Sequence, residues 1–249
     1  MARIFIGTSG WVYGAWKGRF YPPTLPDAQR LGFYATRFNT TEVNYSFYHL
    51  PSPETYRRWL RVVSPDFIFG LKANRLITHQ GRLREVESTW MDFARGAGQL
   101  GQHLGPVLLQ LPPSFRKDHA VLAAFLEVAS GSPGCPRLAF EFRHTSWFIE
   151  ETYRLLTRYG AALCIADGSR YPRVNTVTAD FAYFRFHGRI PPEAPFYADQ
   201  QLRSEAESIE RIARQGIDTY VYFNNDALAH AAMNGARLKE LLNDLYMAA

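Results

Sequence analysis

The side chains of this sequence best suited to chemistry stand where short apolar runs give out. They lie in GTSGW at 7–11, EVNYSFY at 42–48, GLKAN at 70–74, QLPPSF at 110–115, FEFRHTSW at 140–147, CIAD at 164–167, RFHG at 185–188 and YFNND at 222–226. Glu42, Glu141 and His187 are the candidates for proton transfer, because burial and charged neighbours can bring such groups toward neutral pKa values. Lys72, Arg143 and Arg185 are candidates for gripping an anion, arginine through a fork that matches carboxylate or phosphate. Thr8, Asn44, Gln110, His144, Asp167 and Asn224 add hydrogen-bonding groups, and Trp11 and Trp147 add flat apolar faces. The loops of the last two runs, with Arg185, His187, Gly188 and Arg189 and then Asn224, Asn225 and Asp226, suit a phosphate, since a helix N-terminus attracts negative charge.

Other chemistries fit less well. Glu42, Glu141, Asp167, His144 and His187 include ligand types for zinc or manganese, yet no HExxH, no C-x₂-C and no close histidine pair occurs. Arg143 and Arg185 would also set positive charge beside a cation, so no cofactor is expected and a divalent metal is weakly supported. Two carboxylates facing a pocket, with Trp11, Trp16, Tyr48 and Trp147 as stacking faces, would suit a carbohydrate hydrolase if their separation were right. Ser9 in GTSGW is not the G-x-S-x-G elbow and reads as a hydrogen-bonding residue. Arg57, Arg58, Arg61, Arg82 and Arg84 would serve a nucleic-acid-binding barrel, against the commoner reading of a solvated helix face. His79 and the other loop or helix histidines are read as meeting solvent. The competing reading of the whole set is an ion-pair network tying Glu42, Glu141 and Asp167 to their cationic neighbours.

These residues need a scaffold that gathers strand ends. Strand-like runs begin near Arg3, Asn39, Phe67, Pro106, Arg137, Ala161, Phe181 and Thr219, with helical patterns over 27–37, 53–63, 89–100, 118–129, 148–159, 200–215 and 227–246. That alternation implies parallel βαβ units in an α/β fold. At 249 residues it suits one TIM (β/α)₈ barrel domain over 1–249, with the site at the C-terminal ends of the strands. The sixth unit is irregular, because 168–180 has room for a loop and one turn only. A doubly wound sheet is the alternative, weakened by the lack of G-x-G-x-x-G after the first strand. Strand parity sharpens the picture. Glu42 and Asn44, Lys72 and Asn74, Gln110, Glu141 and Arg143, Tyr183, Arg185 and His187, and Tyr220, Tyr222 and Asn224 all oppose the apolar residues between them. An axial pocket lined by Glu42, Asn44, Lys72, Gln110, Glu141, Arg143, Arg185, His187 and Asn224 is expected. Pro53 marks a helix start, and Asn224–Asp226 are expected to cap the last helix.

Taken together, GTSGWVYGAW, TTEVNYSFY, FGLKAN, QLPPSF, FEFRHTSW, FRFHGR and VYFNND resemble the motif series of the YecE-like family, over nearly the whole chain and in order. The resemblance implies a TIM barrel and carries no reaction with it. Composition agrees with a globular protein: 47% apolar, 20% charged and 15% aromatic residues, with a net charge of +5. Only four of the 28 basic residues are lysine, which tilts the expected partner toward anions, a small molecule or a nucleic-acid phosphate. Neither Cys135 nor Cys164 has metal spacing, and Cys164 reads as a core thiol. The first residues do not read as a signal peptide and no run reaches membrane-spanning length, so a cytoplasmic location is expected. The function implied is an enzyme hydrolysing or isomerising a phosphorylated or otherwise anionic substrate.

Overall fold

The computed structural model describes residues 2–134, 136–168, 172–188 and 196–247; Cys135 and Arg189 lie outside them. Eight parallel strands alternate with helices: β1 (Ile4–Thr8), α1 (Arg30–Ala35), β2 (Thr40–Val43), α2 (Tyr45–Tyr48), α3 (Pro53–Leu60), β3 (Ile68–Lys72), α4 (Glu87–Ala97), β4 (Leu104–Gln110), α5 (His119–Ser130), β5 (Leu138–Glu141), α6 (Glu150–Arg158), β6 (Ala162–Asp167), β7 (Phe181–Phe186), α7 (Asp199–Arg214), β8 (Asp218–Phe223) and α8 (His230–Met247). From β2 to β8 each strand pairs with the next, and β8 pairs with β1. The result is the TIM barrel that the alternation implied.

Parity sorts the strand residues as expected. Phe5, Ile68, Leu108, Ala139, Ala162, Cys164, Tyr183, Tyr220 and Tyr222 form the barrel interior. Residues of the other parity, Leu109, Phe140, Phe184, Phe186, Val221 and Phe223 among them, pack in the layer beneath the helices. The interior is filled in layers. Phe5 stacks on Tyr220 at 4.7 Å, and above them the Tyr222 hydroxyl reaches across to Thr40 Oγ1 at 2.8 Å. Tyr222 fits because residue 70 is glycine, where a Cβ would come within 2.8 Å of that hydroxyl. Burial pushes the Cys164 thiol pKa well up, as a core thiol requires.

The barrel closes between β1 and β2 by a seam of side chains. One bridge joins Ser9 to Glu42, with the Gly10 amide donating to Glu42 O at 2.7 Å. Elsewhere Asn39 takes the amide of Ile6 at 3.0 Å and donates to Ile4 O at 3.1 Å. The Tyr34 hydroxyl accepts from the Thr8 amide at 2.8 Å and donates to Thr40 O at 3.0 Å. Gly7 permits the close approach, since a Cβ there would lie 2.0 Å from Thr40 O.

The sixth unit is the irregular one. Among the described residues no helix separates β6 from β7. Val174 and Val177 pack against the core instead, and Thr178 Oγ1 accepts from the Leu163 amide at 2.8 Å and donates to Ala161 O at 2.7 Å. Helix α3 begins at Pro53, as read from the sequence, and Ser52 caps it. The start of the last helix differs from expectation. A 3₁₀ turn over Ala227–Ala229 precedes α8, and Asp226 makes no side-chain cap. Asn225 turns instead to Asn234 at 3.0 Å. No helix among the described residues is long and apolar enough to cross a membrane.

Candidate functional site

A charged layer crosses the barrel just below the C-terminal ends of the strands. Arg185 of β7 is 1% exposed and Glu42 of β2 is fully buried. Burying such charges is costly unless each is paired. Here one guanidinium serves two acids: Arg185 donates to Glu42 Oε1 at 2.8 Å and through its other terminal nitrogen to Glu141 Oε2 of β5. Ser9 Oγ donates to Glu42 Oε1 at 2.5 Å and the Tyr183 hydroxyl to Glu42 Oε2 at 2.6 Å. Gln110 Nε2 and Arg143 Nε both donate to Glu141 Oε1, at 2.9 and 2.8 Å.

These partners fix the protonation states. Burial raises the Glu42 carboxyl pKa, but Arg185, Ser9 and Tyr183 outweigh it and hold it below the usual range. Burial acts likewise on Glu141, where Arg185, His187 and Arg143 hold the carboxyl well below that range. Both acids are therefore ionised at neutral pH.

Above this floor lie groups that reach solvent. His187 Nε2 stands 3.5 Å from Glu141 Oε2, and its Nδ1 is 3.1 Å from Asn224 Nδ2. A histidine held on both nitrogens is oriented for proton transfer. Arg143 is 20% exposed at the mouth. Lys72 closes β3 with its ammonium 4.3 Å from the centre of the Phe47 ring. Among the described residues it meets no carboxylate. Burial lowers its pKa, Arg185 and Arg143 lower it further, Glu42 and Glu141 only partly restore it, and the net value is about 8.

Beside the mouth a cavity of about 460 Å³ is lined by Trp11, Tyr13, Asn44, Tyr45, Arg58 and Trp59, among others. Its inner wall adjoins the charged layer, because Asn44 Nδ2 donates to Ser9 O at 3.4 Å and the Tyr13 hydroxyl donates to the same oxygen.

The structure thus brings together Glu42, Glu141, His187, Lys72, Gln110, Arg143, Arg185 and Asn224, with Asn44 and Trp11 in the adjoining cavity. Four residues singled out from the sequence stand apart. Thr8 is buried at the seam, its hydroxyl donating to Gly10 O at 2.6 Å. Trp147 is buried, stacked on Phe142 at 4.6 Å with its indole donating to Phe115 O. His144 caps a 3₁₀ turn by accepting from the Ser146 amide. Asp167 has the helix-facing parity of β6, while Ala162, Cys164 and Ala166 face inward. It pairs with Arg173, which also forks onto Glu205 of α7 at 2.6 and 2.7 Å. Among the described residues no three His, Cys, Asp or Glu side chains converge as a metal site would require.

Two site residues escaped the sequence reading. Tyr183 had the inward parity but was left out of the pocket. His79, assigned to solvent, stands edge-on to Phe47 at 5.0 Å. Burial lowers its pKa, with Lys72 and Arg143 adding to the effect, to about 4. Its direction is set by a π-helical turn over Leu76–Gln80, which leaves no periodic signal to read.

The chain as a whole is similar to several known proteins. A family model described as a protein of unknown function, DUF72, matches residues 5–248. The UPF0759 protein YunF of Bacillus subtilis (strain 168) is 26% identical over 276 residues, covering 98% of this chain and 96% of YunF. The UPF0759 protein YecE of Escherichia coli (strain K12) is 31% identical over 145 residues, covering 58% of this chain and 50% of YecE. A DUF72 family protein of Thermotoga maritima MSB8, solved by crystallography, has a TM-score of 0.87 and 32% identity, over 97% of this chain and 99% of that one.

Proposed function

The chain belongs to the DUF72 family, and from that premise we propose that the mouth of the barrel binds a small phosphorylated or carboxylated substrate and catalyses proton-transfer chemistry on it, as in isomerisation or hydrolysis. The observation that carries this reading is the charge balance at the strand ends. Arg185, Arg143 and Lys72 face Glu42 and Glu141, so among these described residues one cation is left over, and it belongs to Lys72. Arg185 is committed to the two carboxylates and supports the site from below rather than gripping a ligand. Lys72 and Arg143 hold the anion, and Asn44 and Asn224 orient the rest of the substrate. His187 carries the proton, held by Asn224 and Glu141.

Glu42 and Glu141 act here as fixed negative charges that position their neighbours. A glycosidase pair needs one carboxyl kept protonated near neutrality, and Arg185 keeps both ionised, so carbohydrate hydrolysis fits less well. Thermal unfolding in phosphate or sulfate, against chloride at equal ionic strength, tests the proposal. A ligand at about ten times its Kd adds about 1.4 kcal/mol, which in a chain of this size raises Tm by roughly 3–6 °C. No rise at tens of millimolar phosphate would overturn it.

A further inference from the structure

Lys72 is placed unlike the other lysines. Lys17, Lys117 and Lys239 are exposed, whereas Lys72 is half-buried at the end of a barrel strand. Its amine lies over the Phe47 ring at 4.3 Å, and the same ring carries His79 on its edge at 5.0 Å, nearly perpendicular to it. His79 Nδ1 is 2.9 Å from Thr78 Oγ1, so that contact occupies one ring nitrogen. The surroundings oppose charge on both groups, since burial and the Arg143 guanidinium act against their protonated forms. A lysine that meets no carboxylate among the described residues is poorly built there as a permanent ion pair. It is well built as an amine that loses its proton easily.

We propose that Lys72 is a nucleophile that forms an imine with a carbonyl compound bearing a carboxylate or phosphate. The inference rests on the anion-binding reading of the mouth and names its substrate class. Arg143 grips the acidic group while the carbonyl carbon lies against the Lys72 nitrogen. The nitrogen lone pair bonds to that carbon as the carbonyl π pair moves onto oxygen. The nitrogen then gives up a proton and the oxygen gains one, with the neutral His79 imidazole as relay. A second proton, drawn from solvent, lets the hydroxyl leave as water, and the nitrogen lone pair closes the C=N bond to give an iminium. No oxidant or reductant enters, and the overall change is amine, carbonyl and one proton to iminium and water. The iminium then draws electrons from the neighbouring C–H or C–C bond, and His187 takes or returns the proton there.

Pyruvate with sodium borohydride is a direct probe, because hydride reduces the imine to a stable secondary amine that mass spectrometry of the digested protein locates. At pH 8 an amine titrating near 8 is about half neutral, where an ordinary lysine near 10.4 is neutral at below about one per cent. Label on Lys72 is therefore expected to exceed that on each of Lys17, Lys117 and Lys239 by roughly tenfold or more. Lys72→Arg keeps the positive charge and removes the nucleophile. It is expected to lose the label and to retain the phosphate-induced rise in Tm.

The failures are distinguishable. Label spread evenly over the lysines, alongside a rise in Tm with pyruvate, overturns the imine and leaves anion binding standing. Label confined to Lys72 with no such rise in phosphate supports the imine and overturns anion binding as the reason for it. Retained label elsewhere and none on Lys72 in the folded wild-type protein overturns the proposal outright.

Discussion

A half-buried amine at the edge of water costs stability, and Lys72, which meets no carboxylate among the described residues, is such an amine. Its pKa of about 8 in the folded protein lies below the roughly 10.4 of an unfolded chain. Below about pH 8 both states are protonated and the full cost is felt. Between about 8 and 10.4 the unfolded state holds more protons, so stability rises with pH there and the cost disappears above that window. Lys72→Met is thus expected to raise stability near pH 7 by about 1–3 kcal/mol and to lose the advantage above about pH 10.5, as read by urea unfolding at several pH values. Arg185 is the opposite case. Arg185→Met leaves Glu42 and Glu141 buried together without their shared cation, and a loss of about 3–5 kcal/mol is expected in the same assay. At this scale the sequence was informative about charge and parity. It could not say that Arg185 spends its guanidinium on two acids, because Glu42 and Glu141 are 99 residues apart and only the closed barrel brings them to one side chain.

Strands carried the clearest signal among the elements. Their starts fall within two residues of those read from the apolar runs, and parity separated Phe140 from Glu141 and Phe184 from Arg185 correctly. Asp167 shows the limit of reading strand ends without parity, since it ends β6 yet faces the helices and its Arg173 partner. Short elements were also illegible. The single turn of α2 and the π-helical turn over Leu76–Gln80 are too brief for a period of 3.6 to emerge. The β1–β2 seam was hidden for another reason: it uses Asn39, Tyr34 and Thr41, whose Oγ1 donates to Thr8 O at 3.1 Å, not a ladder that strand pattern could announce. Tyr34→Phe removes the acceptor of the buried Thr8 amide and the donor to Thr40 O. A cost of about 1–3 kcal/mol follows. Faster amide exchange confined to β1 and β2 is the expected signature, and a uniform change over the barrel would argue against the seam.

Over the whole molecule the positive charge divides into two populations. Much of the arginine excess is solvated and locally paired, as in Arg95 with Asp92, Arg154 with Glu150 and Arg203 with Asp199. Such exposed pairs contribute little to stability and are screened by salt. Arg57 and Arg61 likewise share Glu54, which weakens the case for a nucleic-acid face on α3. The cations at the barrel mouth are different, because they stand partly buried against a low-dielectric wall that concentrates their field. Titration calorimetry of inorganic phosphate into the wild-type protein and Lys72→Met, at equal ionic strength, tests this most directly. One site per chain with a Kd of about 1 mM or tighter is expected in the wild type, weakened about tenfold or more in the variant, the equivalent of about 1.4 kcal/mol. Equal binding by both proteins, or binding by neither, would contradict it.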